Sequence, residues 1–195
     1  NNLNYATKIF SQSIVISIIL GIFISIFGTN ISENLISTIN KDKETLIYST
    51  RYINIIFFGS IFIFSLMVIN SCLSAQGDTK SYRNVLIFSF FLNIILNPIL
   101  ITGKIFSFQI FSPLGISGIA IATVLSQFIG IFYLIYKTKK TFISNYLKFD
   151  TFKPDMKIIK NILTQGIPAS IGMMMISIGS YIILIFVAYF GNNAI

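Results

Sequence analysis

Ser89, Asn93 and Asn97 stand four residues apart in a run without charge, NVLIFSFFLNIILNP, so on a helix they line one face. An amide costs free energy in hydrocarbon unless something satisfies it. Two readings fit. The three residues form the polar wall of a cavity or ion site, or they make interhelical hydrogen bonds, worth about 0.6 kcal/mol on average in membrane bundles. Pro98 beside them removes a backbone donor and weakens the local ladder. Met173, Met174 and Met175, with Ser177 close by, could offer a plastic surface to varied ligands because thioethers are flexible and polarizable. Packing or lipid contact is the plainer reading of that run. Tyr52 and Asn54 follow Arg51 at the start of another apolar stretch, where an aromatic ring anchors a helix at the interface.

What is missing narrows the chemistry. The acidic residues Glu33, Asp42, Glu44, Asp78, Asp150 and Asp155 all lie outside the apolar stretches, and histidine is absent. The chain therefore lacks a histidine zinc motif, paired membrane aspartates and a Walker-type glycine loop. It has no intramembrane ionisable group of its own for a proton relay. An enzyme is not expected. Cys72 is the only cysteine, so a disulfide within the chain is impossible and packing is its expected role.

Composition sets the elements that must position these side chains. Hydrophobic residues make up 54% of the 195 positions and charged residues 10%, and the mean hydropathy is +0.83; these values belong to a membrane protein. Five uncharged segments are long enough to cross a hydrocarbon core of about 30 Å: residues 9–28, 52–73, 85–102, 114–136 and 167–190. The short alternating segments of a transmembrane barrel are absent from the sequence. The expected fold class is all-α, a polytopic membrane helix bundle.

With the first residues in the cytoplasm, ten Lys and Arg residues fall inside and four outside, the positive-inside bias. The net charge of +8 then needs no nucleic-acid partner; the Lys137 to Lys160 run reads as a solvated loop near anionic headgroups. No signal peptide is evident. The opening Asn1-Asn2-Leu3 and the turn-like Gly191-Asn192-Asn193 near the end suggest a piece of a longer chain.

Punctuation gives the junctions. Gly28-Thr29-Asn30 is expected to close the first span, with a short interfacial helix around Ser32 to Ile39. Gly77 suits a helix C-terminus because it tolerates positive φ, and Asp78 or Thr79 can cap the next helix. Gly166 and Pro168 are expected to open the fifth span. Gly118, Ala122, Ser126 and Gly130, and likewise Ser13, Ser17, Gly21 and Ser25, form small-residue faces that let helices approach closely.

The order Gly77-Asp78-Thr79, then Asn93, Asn97 and Pro98, then G-I-x-G-x-A-x-A-T-x-x-S-Q over Gly115 to Gln127, then a basic loop and Gly166-Ile167-Pro168, resembles the multidrug and toxic compound extrusion (MATE) transporters. The resemblance covers most of the chain. It implies twelve helices in two lobes around a cavity of alternating access, with these spans as helices three to seven. Residues 1–136 would then be part of the N-terminal lobe, 137–161 the basic cytoplasmic linker, and 162–195 the first helix of the C-terminal lobe.

Members resembling this pattern build a cation site from a tyrosine, an asparagine and aspartate four apart, and a threonine, besides an aspartate on helix one. These positions fall on Tyr52, Asn93, Asn97 and Thr123, with Asn97 in place of the carboxylate. A neutral amide can ligate Na⁺ but carries no proton at physiological pH. Met173, Met174 and Ser177 are the candidates for a substrate surface. The implied activity is antiport, with Na⁺ or H⁺ as coupling ion and no other cofactor, that exports small organic solutes across the cytoplasmic membrane. A lipid-linked sugar flippase of the same superfamily, or a non-transporting membrane assembly subunit, are the alternatives. Expected partners are the substrate, the bilayer and the remainder of the protein's own chain.

Overall fold

The computed structural model describes residues 2–40, 42–105 and 108–188. Its helices are α1 (Asn2–Ser37), α2 (Lys43–Phe58), α3 (Ser60–Ala75), α4 (Lys80–Thr102), α5 (Ile116–Thr138) and α6 (Met156–Ala188). The strands β1 (Lys104–Ile105) and β2 (Phe108–Gln109) pair antiparallel in the α4–α5 connection. Four helices are long and apolar enough to span a membrane, or five spans if α2 and α3 count as one. The expected all-α membrane bundle is therefore the observed class. The expected end of the fifth span at Phe190, and the turn after it, lie outside the described residues.

α1 packs on α2 and α3, α5 packs on α2, α3 and α4, and α6 lies against α1. Leu66, Ile69 and Leu73 of α3 join Val85 and Leu134 in the buried apolar core. Elsewhere the interfaces are built from small residues. α1 buries Ser17, Gly21, Ser25, Gly28 and Ser32 while exposing Ile19, Phe23, Ile26 and Phe27, an arrangement that suits lipid outside and close backbone approach inside. A Cβ on Gly21 would fall 2.6 Å from the Ile61 Cα, and one on Gly28 would fall 2.6 Å from the Phe57 ring.

Three junctions differ from the sequence expectation. α1 does not close at Gly28-Thr29-Asn30; it continues to Ser37 and absorbs the expected interfacial helix. The Thr29 hydroxyl donates to the Ser25 carbonyl at 2.8 Å and the Asn30 amide to the Ile26 carbonyl at 2.6 Å. Both side chains thus satisfy themselves inside the helix instead of terminating it.

The second span is not one straight helix from Tyr52 to Leu73. α2 begins at Lys43, where the Asp42 carboxylate accepts from the Thr45 N–H at 2.9 Å, and the chain bends by 46° between α2 and α3. Gly59 sits at the bend because α5 presses there: a Cβ would meet Val124 Cγ2 at 2.4 Å. Tyr52 therefore lies well inside α2 and does not open a helix.

α6 begins at Met156, inside the stretch expected as linker, and runs through Gly166 and Pro168. The Asp155 carboxylate accepts from the Lys157 and Ile158 N–H groups at 3.1 and 3.3 Å, so the start is capped there. Pro168 costs only the donor that would have met the Thr164 carbonyl, a loss that membrane helices accommodate.

Other expectations hold. Gly77 adopts φ +85°, and Asp78 accepts from the Ser81 N–H at 3.0 Å and the Ser81 hydroxyl at 2.6 Å. The side chain of Asp78, not that of Thr79, makes the cap. Gly103, at φ +69°, ends α4 just past Thr102.

Candidate functional site

The polar face of α4 meets α5. The Asn93 amide donates to the Ser89 carbonyl one turn below at 2.8 Å and reaches across to the Ser126 hydroxyl at 3.3 Å. Ser126 in turn donates to the Thr123 carbonyl at 2.8 Å. A short polar chain thus links the two helices where Ser126, almost fully buried, permits close approach. Thr123 donates its own hydroxyl to the Ile119 carbonyl at 3.0 Å, leaving lone pairs on that oxygen as its remaining capacity.

The acceptors on this face are unspent. Ser89 Oγ, Asn93 Oδ1 and Asn97 Oδ1 are all buried without a hydrogen-bond partner among the described residues. A buried oxygen left unpaired carries a desolvation penalty of about 1–3 kcal/mol. Three of them spaced along one face form a row of neutral oxygen donors without a local counter-charge. Among the described residues no group of three or more His, Cys, Asp or Glu side chains converges. A cation held at this face would therefore be ligated by amide and hydroxyl oxygens, the hard donors that suit Na⁺-like ions.

Tyr52 belongs to a different place. It lines a cavity of about 440 Å³ with Ile36 of α1, Ile53 and Ile56 of α2, and Ile116 of α5. α5 packs against both α2 and α4, while α2 and α4 do not form a packed pair. The structure thus links Asn93 to the Thr123 backbone through the Ser126 hydroxyl and sets Tyr52 on the other neighbour of α5. The bond that fixes Asn93 runs to Ser126, a residue that the sequence marks as one of a ladder of small side chains, for close packing or a cavity-lining surface.

Met173 and Met174 are 75% and 54% exposed on α6. Ser177 donates back to the Met173 carbonyl at 3.1 Å. All three side chains are exposed among the described residues.

Two further buried oxygens without partners among the described residues, Thr50 Oγ1 and Asn54 Oδ1, lie one turn apart on α2. In sequence, Asn54 reads only as part of an interfacial anchor. Its spacing from Thr50 repeats that of Ser89, Asn93 and Asn97 and is the available signal. Outside the spans, the Ser81 hydroxyl and N–H hold the Asp78 carboxyl below its ordinary pKa, and the Thr45 N–H and hydroxyl do the same for Asp42.

The MatE family profile matches residues 1–99. The chain is 29% identical over 187 residues to the probable multidrug resistance protein YoeA of Bacillus subtilis (strain 168), covering 93% of this chain and 39% of that protein. It is 29% identical over 188 residues to the multidrug export protein MepA of Staphylococcus haemolyticus (strain JCSC1435), covering 95% of this chain and 39% of that one. The chain thus spans about 39% of the length of these curated relatives. A solved inward-facing multidrug resistance MATE family transporter of the MOP superfamily superposes with a TM-score of 0.71 at 22% identity, over 92% of this chain and 44% of that structure.

Proposed function

Since the chain belongs to the MatE family of membrane transporters, we propose that it supplies the larger part of one lobe, the connection and the first helix of the second lobe of a multidrug exporter in the cytoplasmic membrane. Residues 1–136 are the lobe portion, the segment from Lys137 to Asp155 is the connection, and α6 starts the second lobe. The exported substrates are small organic molecules, and Met173, Met174 and Ser177 on α6 face them when the opposite lobe is in place.

The coupling cation binds at the α4–α5 face through Asn93 and Asn97, with Thr123 beside them. The observation that carries this reading is the pair of buried, unpartnered Oδ1 atoms of Asn93 and Asn97, one helical turn apart. The neutral donor set favours Na⁺ over H⁺ at this position, because an amide has no proton to exchange. No Lys or Arg stands between Val85 and Tyr136 except Lys104 in the α4–α5 connection, which leaves a pyrophosphate-bearing lipid without a basic cradle along these two helices.

The test is efflux by the full-length protein in membrane vesicles under an imposed Na⁺ or H⁺ gradient. Asn93→Ala and Asn97→Ala are each expected to raise the Na⁺ concentration for half-maximal efflux about tenfold, equivalent to about 1.4 kcal/mol. If both variants leave gradient-driven efflux unchanged, the site assignment is wrong.

A further inference from the structure

The connection between α5 and α6 carries lysines at positions 139, 140, 148 and 153, just after Lys137 in the last turn of α5, and by composition it belongs in solvent. Its last residues do the opposite. Gln12 of α1, 1% exposed, turns its carboxamide onto them. Nε2 donates to the Thr151 carbonyl at 2.9 Å and to the Lys153 carbonyl at 2.8 Å, and Oε1 accepts from the Asp155 N–H at 3.1 Å. Both amide protons and the carbonyl of one side chain are thus spent on three backbone groups that flank Pro154.

Ser11, fully buried beside it, lies 2.9 Å from the Thr151 hydroxyl. Thr151 spends its own proton on the Lys148 carbonyl at 2.6 Å, so Ser11 is the donor in that pair. The two adjacent residues hold the backbone and the side chain of the same turn.

Only a primary amide can make the Gln12 set, because the site demands two donors and one acceptor in one plane. A glutamate would place a carboxylate against two carbonyls, and an aliphatic residue would leave all three groups unpaired. The clamp ends at Asp155, whose carboxylate caps α6, and Ile158, 4% exposed, continues the packing into the first turn of α6. By contrast, Gly166, Gly172 and Gly179 have no heavy atom within 4 Å of a notional Cβ.

We infer that Gln12 is a positioning residue which fastens the connection through Asp155 to the first lobe for the whole transport cycle, so that relative motion of the lobes begins within α6 and not in the lysine-rich segment. This rests on the transporter reading proposed above. The lysines are then carried on a fixed strap, and Lys153 bridges to Asp150, both ends largely exposed.

The experiment uses the full-length protein in a Cys72→Ser background. The Ser11 and Thr151 hydroxyl oxygens lie 2.9 Å apart, which makes Ser11→Cys with Thr151→Cys the pair to crosslink by a disulfide. Oxidation is expected to leave efflux within twofold of the reduced protein. Efflux that stops on oxidation and returns with dithiothreitol would overturn the inference, because the strap would have to detach in each cycle.

Gln12→Leu is expected to lower maximal efflux about fivefold with the half-saturating substrate concentration within twofold, and the engineered disulfide between α1 and the connection is expected to restore it. A general folding defect would not be rescued by that one crosslink. A readout independent of transport uses spin labels at Leu3 and Phe149. Their distance should be the same in Na⁺-saturated and Na⁺-free membranes and should broaden in Gln12→Leu; an unchanged distribution in that variant removes the clamp from consideration. If the parent protein shows no efflux at all, the transporter reading fails while the label distances still decide the clamp.

Discussion

α5 and α6 are both long, apolar and able to span a membrane, yet about a third of the most apolar stretch of α5 is buried and none of that of α6. Within this chain, which spans about 39% of the length of its curated relatives, the small residues of the two helices also meet different surroundings. On α5, a Cβ at Gly118 would fall 2.7 Å from the Leu100 carbonyl carbon, and one at Gly130 would fall 2.7 Å from Val85 Cγ1. On α6, Gly166, Gly172 and Gly179 face open space. Apolarity places a helix in the bilayer, where lipid is as good a neighbour as leucine; backbone approach at small residues selects its partners.

The largest effect should therefore separate these two helices with one chemical change. Gly118→Ala pushes a methyl into the α4 backbone, which cannot rotate away, and overpacking of that kind costs about 1–3 kcal/mol. Gly172→Ala meets nothing within this chain and gains up to about 1 kcal/mol of helix propensity. Unfolding of the 195-residue chain in lipid nanodiscs should shift in opposite directions for the two variants. Equal losses would mean that α6 is packed as tightly as α5, and the contrast would collapse.

A smaller effect concerns the turn that delivers α4 to α5. Asp78 caps α4 through both the backbone and the hydroxyl of Ser81, and removing such a cap costs about 1 kcal/mol. Asp78→Ala should lower stability by that amount, while Thr79→Ala should change little because Thr79 makes no side-chain cap bond. The Ser81 bonds depress the Asp78 pKa, so the folded state binds the proton less readily than the unfolded state. The cap is fully present above the ordinary carboxylate pKa and is lost as pH falls through the depressed folded value. An acid titration of the wild type should show this loss, and Asp78→Ala should flatten it.

What could be read beforehand follows the same division. The apolar, helical character of the spans, the Gly77–Asp78 hairpin and the close-packed face from Gly118 to Gly130 depend on local composition and spacing and are found in the structure, while the bounds of the first, second and fifth spans differ. The passage of α1 through Gly28-Thr29-Asn30 was hidden because these residue types usually end helices; here a glycine makes room for Phe57 and two polar side chains bond back to their own carbonyls. The bend at Gly59 exists because Val124 presses on it, a contact 65 positions away in sequence that no window contains. The early start of α6 depends on the Asp155 cap, which competes with the stronger Gly166-Ile167-Pro168 signal eleven residues later. Gln12 had the same signal as Asn93, an amide inside an uncharged apolar span, and its target could be known only once the connection folded back on α1.

The smallest expected effect falls at the amides of α4, where it separates their two readings. Asn93 makes one bond across the interface, at 3.3 Å to Ser126, so Asn93→Ala should destabilise by about 0.6 kcal/mol, the usual worth of such a bond in a membrane bundle. Asn97 makes no side-chain hydrogen bond among the described residues, and its Oδ1 is buried and unpaired. Replacing an unpaired buried polar group with an apolar one of similar size removes a penalty and loses no bond. Asn97→Leu should therefore leave stability unchanged or raise it, measured as the unfolding midpoint of the full-length protein without Na⁺. A drop comparable to that of Asn93→Ala would make Asn97 interhelical glue. A neutral or stabilising change, together with a weakened Na⁺ dependence of the midpoint, would identify its oxygen as held in reserve for a cation.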